Sequence, residues 1–321
     1  MLKNTPAMYK KAYPFLKEVD SLALANVQLH LEKAYKNFFR DPKVGFPRFK
    51  SKHHSKNSYT TNVVNGNILV EDNRIRLPKL KWISMKKHRE PAENCRLKSV
   101  TVSMEPSGKY FASLLYEGYS CENQAADKDY SNAKILGIDY AMQGMAVFSE
   151  EIEMEEAGFF RKNEKRLARE QRKLSRCVKG SCNYVRQKKK VARCHEKIRS
   201  QRRDYLHKLS RRITDQYDIV AVEDIDMKAM SQCLHFGKSV QDNGYGMFRN
   251  MLDYKLAWKG KELVKTDRFF PSSKKCSKCG KIKKELKLSE RVYRCLCGNE
   301  MDRDRNAAIN IREEARRMLV A

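Results

Sequence analysis

No run of about 18 apolar residues occurs, so no membrane-crossing helix is expected. The opening stretch, MLKNTPAMYKKAYPFL, lacks the apolar segment of a signal peptide. There is no phosphate-binding G-x-x-x-x-G-K-[ST], no G-x-G-x-x-G and no nucleophile elbow, which removes nucleotide-loop, dinucleotide and serine-hydrolase chemistries. Histidine is scarce: seven residues, with no close pair at metal-ligand spacing. Acidic residues are nearly missing from residues 161 to 212, where only Glu164, Glu170, Glu196 and Asp204 stand among 21 lysines and arginines.

What is present follows from that imbalance. The 321 residues carry a net charge of +28, of which +17 falls in residues 161 to 212. A surface this basic repels itself and attracts polyanions, and nucleic acid is the expected partner. Charge alone does not choose between RNA and DNA. The segment is no charged tail, because Val191, Cys194, Ile198, Tyr205, Leu209 and Ile213 form an apolar seam at helical spacing. A solvated helix face would set glutamates opposite its lysines, and this one does not. A break at Lys179-Gly180-Ser181 predicts a helical hairpin. No membrane partner is expected, and the setting expected is a cytoplasm, in association with the nucleoid, or a nucleus.

Residues 20 to 40 read as a helix, with Leu24, Val27, Leu31, Ala34, Tyr35 and Phe38 recurring and Asp20 or Ser21 as cap. GFPRFKSK follows as a basic, aromatic loop in which Phe46 and Phe49 either stack on bases or belong to a core. From residue 58 the period becomes that of strands. YTTNVV and NILVE around Asn65-Gly66 predict a hairpin, and SVTVSME and YFASLLYE around Pro106-Ser107-Gly108 predict a second. Residues 1–120 therefore read as an antiparallel β unit with helices, residues 121–133 as a linker. Strands are expected at 134–139, MAVFS, DIVAVE and ELVKT, with helices at 244–258 and at the C-terminus.

Two constellations carry chemistry. Among ten cysteines, Cys276 and Cys279 are two residues apart, fifteen residues precede Cys295, and one more separates it from Cys297. Two short-spaced thiol pairs suit one tetrahedral zinc ion, in a closed and therefore structural site. Gly280 and Gly298 follow each pair, where a turn needs positive φ. The other six, Cys95, Cys121, Cys177, Cys182, Cys194 and Cys233, are scattered and read as reduced thiols. Cys177 and Cys182 flank a turn without a further pair to complete a site.

The second constellation is acidic. Asp139 ends one apolar strand, Glu223 ends another, and Asp302 and Asp304 open the last helix. A lone carboxylate there is a cap or a surface charge. Three at strand ends and a helix start, separated by helical segments, have the layout of a ribonuclease-H-like core. Clustered carboxylates repel one another until hard cations such as Mg²⁺ neutralise them, and such ions support phosphodiester hydrolysis. A strand-transferring transposase would use similar acids. Between the two aspartates of the last helix, Asp304 shares a face with Ala307, Ala308 and Ile311, whereas Asp302 occupies the N-cap position.

The stretches GFPRFKSK, RIRLPKLKW, VTVSMEPSGKYFASL, ILGIDY, VAVEDIDMKAM, DRFFPSSKKCSKCG and CGNEMDRDRNAAINI resemble TnpB-type proteins of insertion sequences, relatives of type V CRISPR effectors and of Fanzor proteins. The resemblance runs from about residue 20 to 315 and is most specific in the last two stretches. It implies an α+β multi-domain chain. Residues 1–120 would be a β-barrel-like nucleic-acid-recognition unit with a helical insertion. Residues 134–270 would be the RuvC-type nuclease core, including the basic segment 161–214. Residues 271–300 would be an inserted zinc ribbon, and residues 301–321 the last RuvC segment. It implies an RNA-guided DNA endonuclease with Asp139, Glu223 and Asp304 as catalytic Mg²⁺ ligands and Cys276, Cys279, Cys295 and Cys297 as zinc ligands. Its partners would be a guide RNA from the transposon end and target double-stranded DNA, with a short flanking motif read by the N-terminal half. The family usually shows Gly-Ile-Asp-Leu-Gly at the first acid, whereas Tyr140, Ala141 and Met142 follow here, with Gly144 to supply the turn. It also implies a further strand and helix ahead of Met1. The alternative expectation is a nuclease-inactive, RNA-guided DNA-binding regulator or a degenerate transposase-associated DNA-binding protein.

Overall fold

The computed structural model describes residues 5–49, 51, 57–118, 130, 132–141, 144–152, 158–226, 244–287 and 289–320. Most of the expected linker, Met142, Cys121, Cys233 and residues 227–230 lie outside them. The chain divides into two compact units, Met1–Cys121 and Glu122–Ala321.

In the first unit, a short helix α1 (Pro6–Tyr9) precedes α2 (Ser21–Arg40). Asp20 caps α2 by accepting from the Leu22 amide at 3.2 Å. Its buried side is Ala23 with Asn26, whose side chain donates to the Thr60 carbonyl at 2.9 Å, while Val27 and Leu31 of the apolar repeat stay exposed. Phe46 rests edge-on against Tyr35 and Phe38, yet Phe46 and Phe49 are both exposed, so neither is core.

The strands form two separate three-stranded antiparallel ladders. One runs β1 (Asn57–Asn62), β5 (Arg96–Met104), β6 (Tyr110–Glu117); the other runs β2 (Leu69–Glu71), β3 (Arg74–Leu77), β4 (Lys81–Ser84). The β5–β6 hairpin forms as expected around Pro106 to Gly108. The hairpin expected around Asn65-Gly66 does not. β1 pairs instead with β5, Thr61 opposite Val100, and β2 with β3, Val70 opposite Ile75. The turn residues do adopt positive φ, 49° and 68°. But the Asn67 side chain accepts from the Val64 amide and donates to the Asn62 carbonyl, occupying groups a local ladder would have used. Ile68 is thereby freed to join Ile75, Leu77 and Val100 in the core between the ladders.

The second unit is built on a mixed sheet in the order β10-β9-β7-β8, from β7 (Ile135–Ala141), β8 (Met145–Phe148), β9 (Ile219–Glu223) and β10 (Glu262–Thr266). β7, β9 and β10 are parallel and β8 is an antiparallel edge. The parallel strands are apolar along nearly their whole length because both faces are covered. The even residues Leu136, Ile138 and Tyr140 pack with α4 (Cys182–Gln216) and α5 (Tyr245–Trp258). The odd residues Ile135, Ile219 and Ala221 pack with Ile311 and Ala315 of α6 (Arg303–Val320). Gly137 lies on that second face, where a Cβ would sit 2.0 Å from the Ala308 carbonyl oxygen. The helix rests directly on the strand there. The basic segment is the expected hairpin, α3 (Phe159–Ser175) against α4, with Ser181 capping α4 through the Tyr184 amide. No helix of the described residues is long and apolar enough to cross a membrane.

Candidate metal centres and a basic helical hairpin

Strand alternation decides where the acids go. Asp139 continues the odd series of β7 and Glu223 the odd series of β9, so both face α6. The parallel register sets Ile138 beside Val222, which leaves Asp139 and Glu223 as neighbours; Glu223 ends β9, whereas β7 runs two residues past Asp139, beyond the end expected from the sequence, to pair with β8. α6 begins at the same place. Asp302 closes β12 (Glu300–Asp302) and accepts from the amides of Asp304 and Arg305 at 3.0 and 2.9 Å, the cap expected of it. Asp304, in the first turn, is left free of that task and is half-buried toward the sheet.

The electrostatics record the result. Burial, then repulsion from Glu223 and Asp304, hold the Asp139 carboxyl well above the usual carboxylate range, against the pull of the Tyr140 amide and Arg303. Burial raises Glu223 as well. Carboxylates offer only oxygen donors, which hard divalent cations take, but among the described residues the group of side chains already close enough to share one ion is the cysteine set. The Tyr140 side chain points to the opposite face, its ring 4.8 Å from that of Tyr245. Gly144, with φ +89°, makes the return toward β8.

The four cysteines also converge. β11 (Val292–Arg294) and β12 form a hairpin carrying Cys295 and Cys297 at its turn, and Lys275 bridges to Ile282 beneath the other pair. All four Sγ atoms lie within 4.8 Å of one another, and Cys276–Cys297 and Cys279–Cys295 are each 3.6 Å apart. These are not disulfides, whose sulfurs touch at about 2.05 Å. Sulfurs arranged tetrahedrally at about 2.3 Å from a zinc ion would be about 3.8 Å apart, so the donors fit it. Burial pushes the Cys276 thiol up, but the Cys279 and Lys278 amides and the Asn299 side chain outweigh it and bring it down to about 6. The Asn299 amide lowers Cys297, but desolvation and the neighbouring sulfurs prevail and hold it up at about 12. Gly280 and Gly298 have φ of +76° and +82° in the two turns. The other described cysteines, Cys95, Cys177, Cys182 and Cys194, are free.

On the helical hairpin, Arg166, Lys173, Lys190, Arg193 and Lys197 line a cleft of about 310 Å³ between α3 and α4. Glu170 lies at its floor, held by the Gln187 side chain at 2.8 Å. Among the lining residues it is the one acid.

Comparison with known proteins gives two family matches. One, described as "Probable transposase", covers residues 118–234, and the other, "Cas12f1-like, TNB domain", covers residues 245–311. A Streptomyces pristinaespiralis protein named "Putative RNA-guided DNA endonuclease" is 35% identical over 302 residues, covering 92% of this chain and 72% of that one. Escherichia coli K12 InsQ, with the same name, is 33% identical over 313 residues, covering 92% and 75%. A solved chain from "Cryo-EM structure of the Cas12f1-sgRNA-target DNA complex" superposes with a TM-score of 0.55 at 16% identity, covering 97% of this chain and 76% of that one. It shares the fold.

Proposed function

Since the chain belongs to the TnpB-type family of insertion-sequence proteins, we propose that it is an RNA-guided DNA endonuclease whose hydrolytic centre is Asp139, Glu223 and Asp304 in a RuvC-type domain. The observation that supports the reading is the β7–β9 register, which sets Asp139 beside Glu223 on the face that α6 covers, with Asp304 near enough to repel Asp139.

Asp139, Glu223 and Asp304 would hold Mg²⁺. When bound, such ions supply a water activated as nucleophile and neutralise the charge on the departing phosphodiester oxygen. The chain's own part is orientation. Two neighbouring strands and a capped helix start would fix the three carboxylates, and the raised proton affinity of Asp139 marks the charge that a cation must offset. Arg303 adds positive potential beside Asp139, where an incoming phosphate would lie. Cys276, Cys279, Cys295 and Cys297 would hold structural zinc, as their 3.6 Å spacings support. The α3–α4 cleft would grip nucleic-acid backbone, sequence being read by base pairing with the guide. The guide would come from the transposon end. The first unit, whose two three-stranded ladders would close as a barrel and which exposes Phe46 and Phe49, would meet the flanking motif.

The test is to purify the chain with its cellular RNA, sequence that RNA, and present matched DNA with randomised flanks and Mg²⁺. Cleavage that Asp139→Ala abolishes, with RNA binding retained, is the expected result. Guide-dependent binding without cleavage would establish the inactive-regulator reading. Tyr140, absorbed into the opposite core, lends that reading no support.

A further inference from the structure

Two asparagines tie α6 to the residues that flank Cys276. Asn306 is fully buried and Asn310 is 3% exposed. Asn306 accepts from the Ser277 amide at 3.0 Å and donates to the Lys275 carbonyl at 2.8 Å. Asn310 donates to the Ser272 carbonyl at 2.7 Å and to the same Lys275 carbonyl at 2.6 Å. Lys275 and Ser277 are the residues on either side of Cys276. The Cys276 amide in turn closes the knuckle on the Lys281 carbonyl at 2.9 Å. A third strap lies at the helix start, where Arg303 donates to the Lys287 carbonyl at 2.9 Å.

The sheet alone does not supply what these bonds supply. Ala307, Ala308, Ile311 and Ala315 are buried against it. Apolar burial is non-directional, and small side chains leave a helix room to slide and turn. Amide hydrogen bonds are directional. One residue of rotation moves a side chain by about 100° around the helix, enough to carry Asp304 off the face shared with Asp139 and Glu223. Asn306 lies two residues beyond Asp304, and Asn310 one turn further. We propose that Asn306 and Asn310 are positioning residues that set the phase of α6 from the cysteine knuckle, so that occupancy of the cysteine centre governs how tightly the carboxylate centre holds its divalent cation. The inference rests on the reading of both centres given above.

The experiment uses the full-length chain freed of RNA, with Co²⁺ in the cysteine centre and Mn²⁺ as probe of the carboxylates. Thiolate–cobalt absorption reports the first. Electron paramagnetic resonance of free Mn²⁺ reports the second, with Asp139→Ala as the background to subtract. In Asn306→Ala the cobalt spectrum and cooperative melting are retained, while Mn²⁺ affinity falls about tenfold or more, the usual loss when a group supporting a metal ligand is removed. Asn310→Ala, which leaves Asn306 in place, shows the same separation and serves if the Asn306 variant does not fold. In the unsubstituted chain, withdrawing cobalt also weakens Mn²⁺ binding. Folded variants that bind Mn²⁺ as the unsubstituted chain does would overturn the inference alone. An unsubstituted chain that takes up Co²⁺ but no Mn²⁺ would overturn the carboxylate reading and the inference with it.

Discussion

Asp302 and Asp304 are two residues apart and do different work, because a helix start separates a capping position from a facing one. Asp302→Ala should cost about 1 kcal/mol of stability as a lost cap and leave cleavage measurable. Asp304→Ala should abolish cleavage with RNA binding intact. A gel-based cleavage assay beside thermal melts separates the two, and a dead Asp302 variant beside an active Asp304 variant would reverse their roles. Asp139 yields a prediction with a sign. Its folded proton affinity is raised, chiefly by burial. The stability it contributes is therefore fully present below the ordinary carboxylate pKa and is lost as pH rises through the raised folded value. The metal-free chain should carry this penalty at neutral pH. Asp139→Asn should raise the melting temperature there without Mg²⁺, and the gap should close as pH falls toward the carboxylate range. Added Mg²⁺ should stabilise the unsubstituted chain more than the variant.

At the scale of elements, the contact that matters most is α6 on β7. Gly137 exists to permit it, since a methyl group there would collide with the Ala308 carbonyl and the Arg312 amide. Gly137→Ala should force the helix outward at a cost of about 1–3 kcal/mol, the range for overpacking a core. Cleavage should fall further than stability does, because Asp304 travels with the helix. Melting and single-turnover cleavage on one preparation test this, and equal, small losses in both would mean the helix relocates without moving Asp304. The cysteine hairpin is the second decisive element. Cys276→Ser should lower zinc to well under one ion per chain by elemental analysis and loosen residues 271–302 to proteolysis. Unchanged zinc across serine variants of all four cysteines would refute that site.

For the molecule as a whole, charge is the governing quantity. Replacing Arg186, Lys190, Arg193 and Lys197 with glutamate should weaken RNA binding and flatten its dependence on salt. Each lost phosphate contact lowers the slope of log K against log salt by about 0.7 to 0.9. A filter-binding series across salt concentrations measures it, and an unaltered slope would put the nucleic acid elsewhere. Asp139, on the sheet, is expected to leave the slope alone when changed to alanine, so binding and cleavage should separate cleanly.

Much of this was legible in the chain because it rests on local chemistry. Cysteine spacing declares a thiol cluster wherever the chain goes. The residue at 302 declares a cap through its place before the helix, and period-2 and period-3.6 patterns announce the strands and the basic hairpin. The tertiary structure alone decided what depends on partners distant in sequence. It paired β1 with β5 rather than β2, the local turn keeping only its Asn67-to-Val64 backbone bond while the Asn67 side chain holds the Val64 amide and the Asn62 carbonyl. It left Val27 and Leu31 of α2 exposed, because Ala23 and Asn26 make the contact with β1. It turned Tyr140 away from the acid beside it, because alternate residues of a strand face opposite sides. It also tied Asn306 and Asn310 to Ser272, Lys275 and Ser277, some thirty residues earlier. An asparagine on a helix carries no sign in the sequence of the carbonyl it will meet, since only packing brings that carbonyl within reach.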